Sequence, residues 1–110
     1  MILNKEYEKA IKIYSELIDI YPYSVNSQIK DFYYYRGLIY KNHLNDYKNA
    51  LNDFLKSKEI NYLANFEKIN ENIGDCYVEL NDTKNAIIYY KKELEYDKNN
   101  PKLNVLLNSI

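Results

Sequence analysis

The chain contains only two glycines, and both lie in helical sequence patterns at matching points of a duplicated unit. A tyrosine, an alanine and an aromatic residue follow each glycine, in the series Gly37–Tyr40–Ala50–Phe54 and Gly74–Tyr77–Ala86–Tyr90. Glycine within a helix is destabilising by about 1 kcal/mol relative to alanine. Two glycines at equivalent points therefore indicate a packing reason, namely two helices too close for a side chain. The two glycines are 37 residues apart. A repeat of this length is typical of a solenoid, whose units bury their apolar faces against neighbours.

Apolar side chains recur at helical spacing along nearly the whole chain, which predicts an all-α fold. Six helices are expected, over 3–20, 27–42, 46–60, 64–80, 83–97 and 101–110. Pro22 ends the first, because the residue before proline is pushed out of helical geometry. Asn45 or Asp46 is expected to cap the third helix, and Asn81–Asp82 to form the turn and cap before the fifth. Pro101 takes its favoured first position in the last helix.

The pattern resembles tetratricopeptide repeats, helix-turn-helix units of about 34 residues. Three copies carry the resemblance: a half repeat with Tyr7, Ala10, Tyr14 and Pro22; a repeat with Tyr33, Gly37, Tyr40, Tyr47, Ala50 and Phe54; and a repeat with Ile73, Gly74, Tyr77, Ala86 and Tyr90, which ends in Leu94–Pro101. The resemblance implies antiparallel helix pairs stacked as a short right-handed α-solenoid. It implies a single domain over 1–110, with a half repeat at 1–22, repeats at 27–62 and 64–98, and a short helix at 101–110.

Two departures from the family pattern stand out. Arg36 takes the usual place of a leucine before Gly37, and Asn70 takes the usual place of an aromatic residue before Gly74. The repeats are also longer than the family unit, and most of the excess falls around 22–31 and 61–66. Longer helices or loops are expected there.

The resemblance implies a concave groove, lined by the first helix of each repeat, that binds an extended or helical segment of a partner protein. The residues expected to face it are Asp31, Tyr34, Leu38 and Lys41 on the second helix, and Lys68, Glu71, Asn72, Asp75 and Val78 on the fourth. Chaperone-binding members hold a C-terminal carboxylate there with Lys and Asn. This chain has Leu38 and Asp75 where those asparagines would stand, which disfavours such a clamp.

The fourth helix carries four carboxylates against only Lys68, which favours a basic or amphipathic partner segment. A solvated acidic face is the alternative.

The run Phe32–Tyr35 spreads around a helix, so at least one of its rings is expected at the surface, either in contact with a partner or partly buried under the loop at 22–31.

No catalytic, metal-binding or cofactor-binding pattern is present, so we expect no enzyme activity. His43 lies in a predicted turn, and Cys76 is expected to be a buried, inert thiol. Two glycines cannot form a phosphate-binding loop, and the formal net charge of −1 gives no sign of nucleic-acid binding. No apolar run is long enough to span a membrane, so a cytoplasmic protein is expected.

Three functional hypotheses remain. The leading one is a protein-interaction module of the non-clamp type. The second is a self-associating structural or scaffold unit, in which the uncapped terminal helices pair with another copy. The third is a regulatory repeat domain of a larger protein.

Overall fold

The computed structural model describes residues 3–20, 28–60 and 68–109, and every regular element in these ranges is an α-helix. The helices are α1 (Leu3–Ile20), α2 (Gln28–Asn42), α3 (Tyr47–Ile60), α4 (Ile69–Glu79), α5 (Thr83–Tyr96) and α6 (Pro101–Asn108). The all-α prediction is confirmed. The expectations for Pro22, for the segments at 22–26 and 61–66, and for Ile110 lie outside the described residues.

The start of α4 differs from the prediction. Lys68 has a φ of 60° and lies in the left-handed region, so it cannot belong to the helix, which begins at Ile69 rather than at 64. The helical spacing of the apolar residues gave no sign of this break, because a left-handed lysine leaves no mark in a hydrophobic pattern.

The chain divides into two compact units, Met1–Leu63 and Ala64–Ile110. In the first unit α2 packs along α3, and α1 packs on α2. In the second unit α4 packs along α5, which also contacts α6. Among the described residues, each unit therefore contains one helical hairpin and one additional helix.

The two glycines lie where the helices of each hairpin approach too closely for a side chain. A Cβ atom built on Gly37 would lie 2.9 Å from a ring carbon of Phe54, and one on Gly74 would overlap the ring of Tyr90. Phe54 and Tyr90 are both buried. The predicted packing reason for the glycines is confirmed.

The two hairpins turn in the same way. Asn45 and Asn81 each adopt a left-handed φ, and the aspartate after each accepts a hydrogen bond from a helix N–H, of Asn49 or of Asn85, at 3.2 Å. The predicted caps are confirmed, with Asp46 rather than Asn45 as the cap of α3. These caps satisfy helix N–H groups that have no partner within the helix.

Arg36 ties the first unit together. Its guanidinium donates to both carboxylate oxygens of Asp53 on α3, at 2.6 and 2.8 Å, and to the Ser15 hydroxyl on α1 at 3.0 Å. Asp53 is buried, and burial raises the pKa of its carboxyl group while the bonds to Arg36 oppose that shift. The arginine that replaces the usual leucine at this position therefore has a hydrogen-bond partner on each neighbouring helix.

The core of the second unit joins three helices. Leu103 of α6 is fully buried against Ala86 and Tyr90 of α5, and Ile73 and Cys76 of α4 are also fully buried. The predicted burial of the Cys76 thiol is confirmed. Asn70 is buried as well, although it stands where an aromatic residue is usual in the family.

Candidate partner-binding faces

The nine residues expected to line a groove lie on α2 and at or within α4, and they differ in their exposure and in their contacts. On α2, Asp31 has a side chain that is 38% exposed and pairs with Lys30 at 2.8 Å, while Leu38 and Lys41 are half-buried. These three residues lie on one side of the helix, because residues three, four and seven apart share a side.

Tyr34 does not line an accessible face. Its side chain is 4% exposed, and its ring centroid lies 5.6 Å from that of Phe54. The expectation for Tyr34 was therefore wrong: the ring fills the core between α2 and α3. Hydrophobic spacing cannot separate a ring that points into the core from one that points past it when four aromatic residues are consecutive.

Tyr35 is the exposed ring of that run. It is 40% exposed and lies four residues after Asp31 and three before Leu38, on the same side of α2. Its ring centroid is 6.5 Å from that of Tyr14 on α1, so one side of the ring is packed. The prediction that at least one ring of the run reaches the surface is confirmed. We call Asp31, Tyr35, Leu38 and Lys41 the α2 face.

On α4 the expected residues form a second surface, which we call the α4 face: Lys68, Glu71, Asn72, Asp75 and Val78. Lys68 is exposed, Asn72 is half-buried, and Val78 is 45% exposed. Val78 is thus an apolar side chain left in water on a helix whose other side is packed.

Glu71 and Asp75 are not free carboxylates. The Lys102 ammonium of α6 lies 3.2 Å from Glu71 and 3.0 Å from Asp75. Tyr90 donates its hydroxyl to Asp75 at 2.7 Å, and Asn100 donates its amide to Glu71 at 2.9 Å. A lysine from α6 therefore lies against two of the carboxylates counted on this helix, which reduces the acidic character expected of this surface.

These contacts shift the titration of the groups that make them. Burial lowers the pKa of Lys102, but its hydrogen bonds and its attraction to Asp75 and Glu71 outweigh that effect and raise the pKa overall. Burial, then the hydrogen bond to Asp75, raises the pKa of the Tyr90 hydroxyl far above its ordinary value. The ammonium and the phenol therefore both keep their protons at neutral pH, and both hold the carboxylates in place.

Sequence reasoning missed Lys102, although a signal was present. Lys102 follows Lys68 by 34 residues, so α6 continues the register of the first helix of a repeat. Extending that register past Pro101 would have placed Lys102 beside the carboxylates of α4.

The weaker candidates for chemistry remain structural. His43 stacks on Tyr7, with ring centroids 3.9 Å apart and ring planes 8° from parallel. Across residues 3–20, 28–60 and 68–109, no group of three His, Cys, Asp or Glu side chains is arranged to hold a metal ion.

Comparison with protein families identifies the architecture. A tetratricopeptide repeat model matches residues 67–100, which span the α4–α5 hairpin through to the residue before α6. A second model of the same repeat matches residues 1–24, and the two segments together cover just over half of the chain. The chain belongs to the tetratricopeptide repeat family. No curated protein matches the chain significantly.

Tetratricopeptide repeats generally mediate protein–protein interaction, and the family typically consists of binding modules rather than enzymes. Within the described residues, none of the helices of this repeat protein has the length and apolar character needed to cross a membrane.

Proposed function

We propose that the chain is a protein-interaction module that binds partner segments at two separate surfaces, the α2 face of the first unit and the α4 face of the second unit. One observation carries the proposal: both surfaces leave large side chains in water on helices whose other sides are packed. Val78 is 45% exposed on α4 and Tyr35 is 40% exposed on α2. Exposed apolar and aromatic side chains of this kind gain most from being covered by a partner.

The charges near α4 indicate the character of the segment. Lys102 offsets part of the negative charge of Glu71 and Asp75, whose side chains are only 14% and 18% exposed. A polybasic segment would have to compete with Lys102 for the same two carboxylates. We therefore expect the α4 face to bind an amphipathic segment that covers Val78 with apolar side chains. The α2 face, taken by itself, is expected to bind a segment that covers Tyr35 in the same way.

A matched pair of substitutions on the second unit tests the assignment. Val78→Asp places a charge on the α4 face, and Ile88→Asp places one on α5, where Ile88 is 42% exposed. We expect Val78→Asp to weaken the capture of specific partners by at least about tenfold, which corresponds to about 1.4 kcal/mol. Ile88→Asp is expected to leave capture unchanged.

The measurement is quantitative mass spectrometry of proteins that co-purify with the tagged full chain from native cell extract. Circular dichroism and urea unfolding show whether each variant is folded. Equal recovery of every partner with folded Val78→Asp and with the unmodified chain would remove the α4 face from the proposal. Tyr35→Ser gives the same test for the α2 face.

A further inference from the structure

The ammonium of Lys102 lies against two carboxylates of α4 and bonds to both. It donates to Glu71 Oε2 at 3.2 Å, and to Asp75 Oδ1 and Oδ2 at 3.0 and 3.2 Å. A lysine ammonium has three N–H donors and no acceptor. Lys102 therefore makes, within the chain, the same kind of contact that a basic side chain of a bound segment would make with these carboxylates.

Buried groups hold the other oxygen of Glu71 and reinforce the position of Asp75. Asn100 donates its amide to Glu71 Oε1 at 2.9 Å, and Tyr90 donates its hydroxyl to Asp75 Oδ1 at 2.7 Å. The two carboxylate side chains are only 14% and 18% exposed, whereas the Lys102 side chain is 49% exposed. A cation from solvent would therefore pair closely with these carboxylates chiefly by displacing Lys102.

The attachment of α6 makes that displacement unfavourable. Leu103, the residue after Lys102, is fully buried, and the Asn100 side chain caps α6 by accepting from the Leu103 N–H at 3.1 Å. A tethered group acts at an effective concentration on the order of millimolar or more. A basic side chain of a free segment therefore competes with Lys102 at a disadvantage.

The ion pair lies next to the apolar part of the α4 face. Val78 follows Asp75 by three residues, so the two share one side of α4. A segment that covers Val78 therefore comes within roughly one helical turn, about 5 Å, of Asp75 and the ammonium paired with it. Like charges placed together at an interface act against the wrong partner, so Lys102 opposes basic side chains of the segment there.

We propose that Lys102 is a specificity-determining residue of the α4 face, which excludes polybasic partner segments and leaves the face to uncharged amphipathic ones. The inference rests on the proposed binding role of this face and names the residue that selects among its partners.

A purely structural role of Lys102 has a different signature. If the lysine only fastened α6 to α4, its loss would weaken the binding of every segment alike. A specificity determinant instead changes the ratio of two affinities. The test therefore compares two peptides that differ only in charge.

The probes are two fluorescent amphipathic peptides of about 15 residues, long enough to form a helix. Both carry leucine on the apolar side, and the polar side is all lysine in one and all glutamine in the other. Each is titrated with the full chain and followed by fluorescence anisotropy. We expect Lys102→Met to shift the ratio of the two Kd values at least tenfold towards the lysine peptide. The gain should disappear as NaCl rises from about 0.05 to about 0.5 M, because salt screens exposed charges.

Three variants control for charge and for folding. Lys91→Met removes one positive charge from an exposed position on α5 and should leave the ratio unchanged. Lys102→Arg keeps the charge and should keep the ratio of the unmodified chain. Lys102→Met combined with Glu71→Gln and Asp75→Asn should lose the gain, because amide oxygens still accept hydrogen bonds but carry no charge. Circular dichroism checks that each variant is folded.

A folded Lys102→Met variant that weakens both peptides equally, or a shift in ratio that Lys91→Met reproduces, would overturn the proposal. Absence of saturable binding of the lysine peptide to Lys102→Met up to about 1 mM protein, the weak end of specific affinity, would overturn it too. Failure of the α4 face itself is distinguishable. In that case Val78→Asp would leave binding of the glutamine peptide unchanged, whereas an unchanged ratio in Lys102→Met together with weakening by Val78→Asp removes only the role of Lys102.

Discussion

Arg36 stands where the family usually has leucine, and its environment explains why the exchange is tolerated. The bidentate pair with Asp53 leaves the arginine side chain 18% exposed and the aspartate side chain 6% exposed. Removing one member of such a pair leaves the other charge buried, whereas replacing both with apolar residues is often neutral. The two residues therefore form one unit and should be changed together.

We expect Arg36→Leu alone to lower the free energy of unfolding by about 3 kcal/mol at pH 7, because Asp53 is left charged without its partner. Arg36→Leu with Asp53→Leu should recover most of that loss. Urea unfolding of the two single variants and the double variant measures the coupling. A double variant as unstable as the sum of the singles would contradict the pairing.

The stability that Arg36→Leu loses should depend on pH. Burial already raises the pKa of Asp53, and loss of Arg36 removes the effect that opposes this shift. A carboxyl group whose pKa is higher in the folded state than in the unfolded state destabilises the fold while it is ionised. Protonation removes that cost. The stability gap between Arg36→Leu and the unmodified chain should therefore narrow towards pH of about 4, the ordinary aspartate range.

Gly74→Ala tests the close approach of α4 and α5. Alanine is normally the better helix former, by about 1 kcal/mol. Here its Cβ would overlap the Tyr90 ring, which a hydrogen bond to Asp75 holds in place, so we expect a net loss of about 1–3 kcal/mol. Thermal and urea unfolding measure the change, and Tyr90→Leu in the same chain should reduce it. A Gly74→Ala variant more stable than the unmodified chain would contradict the packing argument.

At the scale of the element, both hairpins use one short sequence, Asn-Asp-x-Lys-Asn-Ala, at 45–50 and 81–86. Its first residue takes the left-handed turn, its second caps the following helix, and its last packs under the preceding helix. In both copies the aspartate also accepts from the asparagine amide three residues on, at 2.7 Å. One motif therefore both turns the chain and sets the start of the next helix.

The pKa of Asp82, which caps α5, should depend on Asn85. The hydrogen bond from the Asn85 side chain is the main cause that lowers the pKa of Asp82, followed by the bond from the Asn85 backbone. We expect Asn85→Ala to raise the pKa of Asp82 towards its ordinary value, measured by carboxyl NMR titration. A lowered pKa contributes stability above the ordinary aspartate range that is lost as pH falls through the folded pKa. An unchanged Asp82 pKa in Asn85→Ala would contradict this assignment.

α4 begins without a side-chain cap of its own. Lys68 makes no capping bond, and the buried carboxylate of Glu93 on α5 accepts from the Glu71 N–H at 3.2 Å instead. A negative group near a helix N-terminus is favourable. The start of this helix is therefore specified by its partner helix.

At the scale of the molecule, α6 closes the second unit and also neutralises part of the α4 face. Leu103 anchors it, and Lys102 reaches the two carboxylates. We expect Leu103→Ala to lower the stability of this unit by about 2–5 kcal/mol, the usual cost of a buried leucine. Hydrogen exchange should show weaker protection of α5 and α6 amides. Unchanged exchange there would mean that α6 is not part of this core.

The sequence by itself determined the family, the helices and the two hairpins. Periodicity, caps and glycines act over a few residues of chain, so they can be read locally. Only the tertiary structure decided that Tyr34 is buried while Tyr35 is exposed, that Glu93 caps α4, and that Lys102 pairs with Glu71 and Asp75. The last two contacts join residues 22 to 31 positions apart, and their existence depends on how the helices pack.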